Sequence, residues 1–260
     1  MISRIGRRFK EILRENGKAF IPYIMSGYPD MNRTIELVKI LEDCGADMIE
    51  LGVPFSDPLA DGPTIQKAAE SALNNGVTLA SVISLVRTLR SGTQIPIILM
   101  TYYNPVFKYG EERFVRDASS AGVDGIIVPD LPPEEAGSLI RLSKKSGGFD
   151  IIFLLAPTST EDRIKRVSKA SGGFIYYVSI TGITGSRLSM DSSIESHISE
   201  IRSISDKPVA VGFGISTPEE ASVVSRFADG VIVGSAIVKR VEGSDDDLRK
   251  YLLSLRNSIK

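Results

Sequence analysis

The stretch IELGVPFSDPLADGPTIQ, residues 49–66, joins a short apolar strand to a polar turn and then to the start of a helix. The strand carries one acid, Glu50, and the turn carries Asp57 and Asp61. A buried carboxylate without a partner is costly, or its pKa shifts. Glu50 on a strand and Asp61 on the loop above it can face one cavity, which suits proton transfer. The alternative is that Glu50 is a solvated strand-end residue and the aspartates cap turns.

The same strand–helix unit recurs along the chain. We expect strands over eight segments: 20–25, 48–53, 95–103, 125–130, 150–157, 173–180, 208–214 and 230–234. Repeated βαβ units imply parallel strands, and strands that are apolar on both faces indicate a covered sheet. The pattern predicts an α/β protein with a closed (β/α)8 TIM barrel. The alternative, an open doubly wound sheet, would place a glycine-rich phosphate loop after the first strand. This chain has SGYPD (26–30) there.

The remaining sequence indicates one domain. Apolar residues recur at helical spacing over residues 2–16 and predict an extra N-terminal helix. No linker or low-complexity stretch interrupts the chain, so we expect residues 1–260 to form a single barrel domain. The 31 basic and 32 acidic residues nearly balance, which favours neither a nucleic-acid partner nor a membrane surface. The N-terminus lacks the apolar core of a signal peptide, and the expected location is cytoplasmic.

Metal and covalent chemistry have little support in the sequence. The chain has one cysteine, Cys44, and one histidine, His197, and both lie in helical patterns. Cys44 is therefore expected in the core and His197 at a packed or solvated position. Neither a Ser–His pair nor a Schiff-base lysine can be assigned. We expect a metal-free site that works through carboxylates.

In a barrel of this type the site lies at the carboxyl ends of the strands. Those ends combine apolar and aromatic residues with two or three acids, and the ends of the last three strands are rich in glycine. Backbone N–H groups beside glycines can bind a phosphate. The predicted phosphate-binding residues are Gly185, Gly214, Gly234 and Ser235. The alternative is that these glycines only form tight turns.

These residues together resemble the α subunit of tryptophan synthase over nearly the whole chain. The most specific segment is ELGVPFSDPLADGPTIQ (50–66). It is supported by PYIMSGYPD (22–30), NPVF (104–107), VPDLPPEE (128–135), GITG (182–185), GFGIS (212–216) and GSAIVK (234–239). The resemblance implies a retro-aldol lyase that cleaves indole-3-glycerol phosphate to indole and glyceraldehyde 3-phosphate.

The resemblance also implies a role for each matching residue. Glu50 corresponds to the acid that protonates C3 of the indole ring, and Asp61 to the acid that binds the indole N–H. Tyr176 completes the predicted catalytic set, and Thr184 corresponds to the loop residue that supports the aspartate. The implied indole pocket consists of Tyr23, Met100, Tyr102, Leu154 and Phe213. Two positions depart from the usual pattern: Ile180 replaces a common arginine, and Tyr23 replaces a common phenylalanine.

The implied partner is the tryptophan synthase β subunit, in an α2β2 heterotetramer. The resemblance implies no cofactor in this chain and pyridoxal phosphate only in that partner. Within enzymes, the alternatives are other phosphate-binding barrels, such as indole-3-glycerol-phosphate synthase or phosphoribosylanthranilate isomerase. They lack the loop after strand two that carries Asp57 and Asp61 here (residues 54–63), which we call the acid loop. A non-catalytic barrel that regulates a partner is the alternative from another class, and such a protein would be expected to have lost Glu50 or Asp61.

Overall fold

The computed structural model of the chain describes residues 2–179, 192–212 and 214–259. Four positions singled out in the sequence, Ile180, Thr184, Gly185 and Phe213, lie outside these described residues.

Parallel strand segments form a single sheet that closes on itself. Within the described residues they are β1 (Ala19–Met25), β2 (Ile49–Gly52), β3 (Ile97–Met100), β4 (Gly125–Ile127), β5 (Asp150–Ile152), β6 (Leu154–Leu155), β7 (Ile175–Val178), β8 (Val209–Gly212) and β9 (Gly230–Val233). Their order is β5-β4-β3-β2-β1-β9-β8-β7-β6. β5 and β6 stand at opposite ends of that order, yet only Phe153 separates them along the chain. The two ends of the sheet therefore meet in one segment. Eight strand positions form a barrel, and the predicted (β/α)8 fold is confirmed.

Helices follow the strands and cover the outside of the barrel. The described helices are α1 (Arg4–Arg14), α2 (Met31–Asp43), α3 (Pro63–Asn74), α4 (Leu79–Leu89), α5 (Tyr103–Tyr109), α6 (Glu111–Ala121), α7 (Gly137–Ser146), α8 (Glu161–Ala170), α9 (Ser192–Ile204), α10 (Pro218–Ser225), α11 (Ser235–Val238) and α12 (Asp245–Ser258). The segment between β3 and β4 contains more than a single helix. The structure has two there, separated by Gly110 at φ 89°.

The predicted N-terminal helix closes one end of the barrel. Ser3 caps α1 by accepting the N–H of Gly6 at 3.1 Å. The ring of Phe9 packs on Phe174 inside the barrel, with centroids 5.4 Å apart. Ile5 and Ile12 are buried in the same cluster. Because α1 fills the amino-terminal end of the strands, the carboxyl-terminal end is the one open to a ligand.

Three aspartates at the amino-terminal end of the barrel share one arrangement, which we call the aspartate clamps. Each donates its backbone N–H to the carbonyl of a residue at the start of a neighbouring strand, and its carboxylate accepts that residue's N–H, at 2.8–2.9 Å. The pairs are Asp47 with Phe20, Asp124 with Ile97 and Asp229 with Val209. Each carboxylate also pairs with an arginine, Arg8, Arg90 and Arg202 respectively. The clamps fix the barrel end that faces away from the candidate site.

Candidate active site

Glu50 is buried inside the barrel. It lies on β2, level with Tyr23 of β1 and Ile98 of β3, and is 1% exposed. Among the described residues, neither of its carboxyl oxygens has a hydrogen-bond partner. Desolvation, with a smaller contribution from the charge of Asp61, raises the pKa of Glu50 to about 8. A carboxyl group that stays neutral at pH 7 can donate a proton. The alternative of a solvated strand-end residue is wrong.

Asp61 lies half-buried on the loop between β2 and α3. Burial raises the pKa of Asp61, and a hydrogen bond with the Tyr102 hydroxyl opposes that rise. The same hydroxyl accepts the backbone N–H of Ala60 at 2.9 Å. Tyr102, the second residue after β3, therefore holds the end of this loop close to the carboxyl end of β3. Asp57 differs from Asp61, because it is exposed and accepts a hydrogen bond from its neighbour Ser56.

Tyr23 and Tyr176 are buried inside the barrel beside the two acids. Burial, followed by the charges of Asp61 and Glu50, raises the pKa of Tyr23. For Tyr176 burial is again the largest cause of the raised pKa, and the charge of Glu50 is the second largest. Both phenols therefore remain protonated and able to donate hydrogen bonds across the physiological pH range. The predicted residues Glu50, Asp61, Tyr23 and Tyr176 are thus brought together.

Two further predicted residues form an apolar rim. Met100 and Leu154 are partly exposed and pack on the cluster that fills the barrel interior. Leu154 is level with Tyr176, and Met100 is level with Gly52. Met100 lies two residues beyond Ile98, the partner of Glu50, towards the carboxyl end of β3. A flat apolar ring could enter between this rim and the two tyrosines.

The glycine-rich end lies on the opposite side of β1 from the acids. Gly234 precedes α11 and Ser235 begins it, and Ser235 is exposed. The first backbone N–H groups of a helix have no partner within it. Gly214 has a φ of 82°, a conformation that side-chain-bearing residues rarely adopt. Gly234 also borders the ring of Tyr23, because an added Cβ would lie 3.5 Å from the tyrosine ring. Tyr23 therefore lies between the two acids and the glycine-rich segment before α11.

A family model described as "Tryptophan synthase alpha chain" matches residues 9–259. The chain belongs to the tryptophan synthase alpha chain family. It is 51% identical to the alpha chain of Geobacter sulfurreducens, over 93% of this chain and 91% of the relative. It is 52% identical to that of Geotalea uraniireducens, over 96% and 94%. A crystal structure of tryptophan synthase subunit alpha from Legionella pneumophila superposes with a TM-score of 0.91. That structure is 36% identical and covers 100% of this chain and 99% of its own.

The face of the barrel at the carboxyl ends of the strands exposes large apolar residues. Leu59 is 93% exposed on the acid loop, and Phe107 is 65% exposed on α5. Pro54 and Phe55 are further apolar residues of the same loop. Pro54 is buried, and the ring of Phe55 packs on Tyr102 with centroids 5.3 Å apart. The exposed apolar surface of this face is therefore formed by Leu59 and Phe107.

The single histidine and the single cysteine of this alpha chain lie apart from the acids. His197 is half-buried and its Nδ1 lies 3.3 Å from the Tyr177 hydroxyl, and Cys44 is buried in the core. The part of the chain that the structure describes contains no group of three or more His, Cys, Asp or Glu placed to hold a metal ion. None of the helices in that part is long and apolar enough to cross a membrane.

Sequence reasoning missed the role of two glycines. A Cβ on Gly52 would lie 2.1 Å from the Tyr23 hydroxyl oxygen, and one on Gly212 would lie 2.3 Å from that of Tyr176. Each glycine therefore provides the space that one tyrosine occupies. The available signal is positional, because both glycines end strands whose neighbours carry those tyrosines.

Proposed function

We propose that Glu50 and Asp61 carry out the reaction of this family, the cleavage of indole-3-glycerol phosphate to indole and glyceraldehyde 3-phosphate. The observation that carries this proposal is the burial of Glu50 without a hydrogen-bond partner among the described residues, which raises its pKa to about 8. Structural carboxylates in this chain behave differently, since the clamp residue Asp124 has three polar partners. An unpartnered buried acid at the open end of a barrel supports a chemical role.

Glu50 supplies and removes the reacting protons. As a neutral acid it protonates C3 of the indole ring, which makes the ring an electron acceptor. The carboxylate so formed then removes the proton of the hydroxyl on the carbon bonded to C3. The oxygen's electron pair forms the aldehyde carbonyl as the carbon–carbon bond breaks, and the bonding pair returns to the ring. Glu50 ends the cycle protonated, and indole and glyceraldehyde 3-phosphate leave.

Asp61 stabilises the positive charge that the ring carries in between. Its carboxylate accepts the indole N–H, and a fixed negative charge there favours the cationic transition state. Burial works against this role, because it raises the pKa of Asp61. The hydrogen bond with Tyr102 opposes that rise and helps to keep the carboxylate ionised.

The remaining predicted residues bind the two ends of the substrate. Tyr23, Tyr176, Met100, Tyr102 and Leu154 line the space for the indole ring, together with Phe213. The phosphate accepts backbone N–H groups around Gly214, Gly234 and Ser235, together with Gly185. Thr184 supports Asp61. What favours this division is the position of Tyr23, which contacts Gly234 on one side and faces the two acids on the other.

The partner of this chain is the tryptophan synthase β subunit, in an α2β2 heterotetramer. We assign no cofactor to this chain and pyridoxal phosphate to the β subunit, where indole is joined to serine. The complex acts in the cytoplasm, where tryptophan is made. The exposed Leu59 and Phe107 support a partner at the carboxyl end of the barrel, because large apolar side chains gain free energy when they are covered.

The test is indole release by the purified chain from indole-3-glycerol phosphate. Glu50→Gln keeps the shape of the side chain but cannot transfer the proton, so kcat should fall roughly 10²–10⁴-fold. Asp61→Asn should also be severely impaired. Asp57→Asn removes an exposed acid from the same loop and should leave kcat within about twofold of wild type. Near-normal turnover by Glu50→Gln would refute the proposed mechanism.

A further inference from the structure

A small pocket lies on the carboxyl face beside α5. Residues of α5 form one wall, and the segment after β4 forms the other. The lining residues are Tyr103, Asn104, Phe107, Asp130, Leu131 and Glu135. Its volume is about 290 Å³. Ligand pockets for small molecules usually occupy about 300–1,000 Å³. This one is therefore of a size for a single long side chain.

The α5 wall of the pocket is aromatic. The rings of Tyr103 and Phe107 lie 5.9 Å apart at an interplanar angle of 45°. Phe107 is 65% exposed although Val106 beside it is fully buried. The face of an aromatic ring attracts cations, and arginine more often than lysine.

The opposite wall carries two carboxylates. Asp130 is held in place, since its Oδ1 accepts the backbone N–H of Tyr103 at 2.9 Å. Glu135 is exposed beside it. Among the ion pairs of the described residues, Asp130 and Glu135 have no lysine or arginine partner, whereas the adjacent Glu134 pairs with Arg163 and Arg166. The pocket therefore has negative charge on one side and an aromatic surface on the other, and among the described residues neither of its carboxylates has a cationic partner.

We propose that this pocket receives a lysine or arginine side chain of the β subunit. The inference rests on the partner assigned under the proposed function, and it names the chemistry by which that partner is bound. Both features of the pocket favour a cationic side chain over an apolar or anionic one. The pocket is also linked to the loop that carries the exposed Leu59, because Tyr102 precedes α5 and its hydroxyl binds Ala60 next to Leu59.

A side chain bound in the pocket would influence the acid loop through Tyr102. Tyr102 is the N-cap of α5, and its hydroxyl contacts both Ala60 and Asp61. A cation seated between Phe107 and Glu135 would hold α5 against the segment after β4. The pocket would thereby fix the residue that positions the acid loop.

The experiment measures the dissociation constant of the α–β complex by calorimetric titration, at two salt concentrations. Glu135→Gln removes the charge and keeps the shape of the side chain, and we expect the complex to weaken about tenfold or more. Its dissociation constant should also depend less on salt than that of wild type. Glu134→Gln is the matched control: it makes the same change one residue away, on an acid that already has partners in its own chain. It should change the constant by less than about twofold.

Two results would overturn the inference. One is a Glu135→Gln complex as tight as wild type, and the other is equal weakening by Glu134→Gln, which would indicate a general charge effect. A double-mutant cycle with charge-removing variants of the partner's lysines and arginines should identify one residue that couples to Glu135. Indole release by the isolated chain tests the proposed function separately. An inactive chain that still binds the partner through Glu135 would refute that function and leave the pocket assignment standing.

Discussion

At the scale of a single residue, the burial that suits Glu50 to its proposed role as a proton donor also lowers the stability of the folded chain. In the folded chain its pKa is about 8, well above the 4.5 of an unperturbed glutamate. Between pH 4.5 and about pH 8, Glu50 keeps its proton in the folded state but has released it in the unfolded state. The stability of the folded state therefore falls as pH rises through this range. Above pH 8 the loss is complete, and below pH 4.5 it is absent. Proton donation and destabilisation thus have one cause.

Glu50→Gln should therefore be more stable than wild type at pH 8, while it is nearly inactive. One pKa unit corresponds to about 1.4 kcal/mol, so the difference between 4.5 and about 8 corresponds to a gain in the free energy of unfolding of about 4–5 kcal/mol. The gain should shrink as pH is lowered towards 5, where Glu50 is already neutral in the folded chain. Urea denaturation of both proteins across this range measures the effect. A pH-independent difference between them would contradict the assigned pKa.

Gly52 should tolerate no larger residue, because Tyr23 occupies its side-chain space. In Gly52→Ala the new Cβ would lie 2.1 Å from the tyrosine hydroxyl oxygen, and the ring must move. Such overpacking costs about 1–3 kcal/mol. Displacement of Tyr23 should also reduce kcat/KM for indole-3-glycerol phosphate. Gly148→Ala is the control, since a Cβ there meets no atom within 4 Å, and it should leave both quantities unchanged. Equal behaviour of the two variants would remove the argument for Gly52.

At the scale of elements, the repeated strand–helix pattern of the sequence predicted the barrel but not the bounds of every element. The eight strands could be placed because each is a short apolar run followed by a helical pattern. The helix α5 was missed because Asn104-Pro105 suggests a turn, although proline is well accommodated in the first turn of a helix. The third strand, expected over residues 95–103, ends at Met100, because α5 begins at Tyr103. These errors concern short segments in which local preference and tertiary packing disagree.

The site was predictable to the extent that strand geometry decides it. Alternation along a strand places Glu50 inside the barrel together with Tyr23 and Tyr176. The contact between Tyr102 and the acid loop could not be predicted, because it joins residues 42 positions apart through a hydroxyl and one backbone N–H. The aspartate clamps were missed as well. A signal existed, since an aspartate precedes three strands in GADMI (45–49), GVDGI (122–126) and FADGV (227–231).

The clamps should govern stability and leave the chemistry unchanged, because they lie at the opposite end of the barrel from Glu50. The Asp124 side chain is 4% exposed and binds Arg4, Arg90 and the N–H of Ile97. Asp124→Asn removes the charge and leaves two arginines poorly paired, so unfolding should become easier by about 2–4 kcal/mol. Asp43→Asn, on an exposed pair with Arg249, should change stability by less than about 0.5 kcal/mol. Thermal or urea unfolding measures both, and kcat of the folded Asp124→Asn enzyme should match wild type. A large loss of kcat with unchanged stability would show that the clamp acts on the site.

At the scale of the whole molecule, the acid loop connects the two proposed catalytic acids to the exposed apolar face. Asp61 lies at one end of that loop and Leu59, which is 93% exposed, lies two residues before it. Tyr102 links the loop to α5, which carries the exposed Phe107. A β subunit that covers Leu59 and Phe107 therefore contacts the elements that position Asp61. Binding of the partner should favour the loop conformation that places Asp61 against the indole N–H.

This coupling predicts that the isolated chain is a weak lyase and that saturating β subunit raises its kcat. Coupling free energies between sites are typically about 1–3 kcal/mol, so an increase of roughly 5- to 150-fold is expected. Linkage requires the effect on binding to be reciprocal. A non-cleavable analogue of indole-3-glycerol phosphate should tighten the α–β complex by the same factor by which the β subunit tightens binding of the analogue. Tyr102→Phe, which removes the hydroxyl that binds Ala60 and Asp61, should reduce that shared factor while the analogue still binds. If kcat is unchanged at saturating partner and the analogue leaves the α–β dissociation constant unaltered, the acid loop does not transmit the partner's binding to the site.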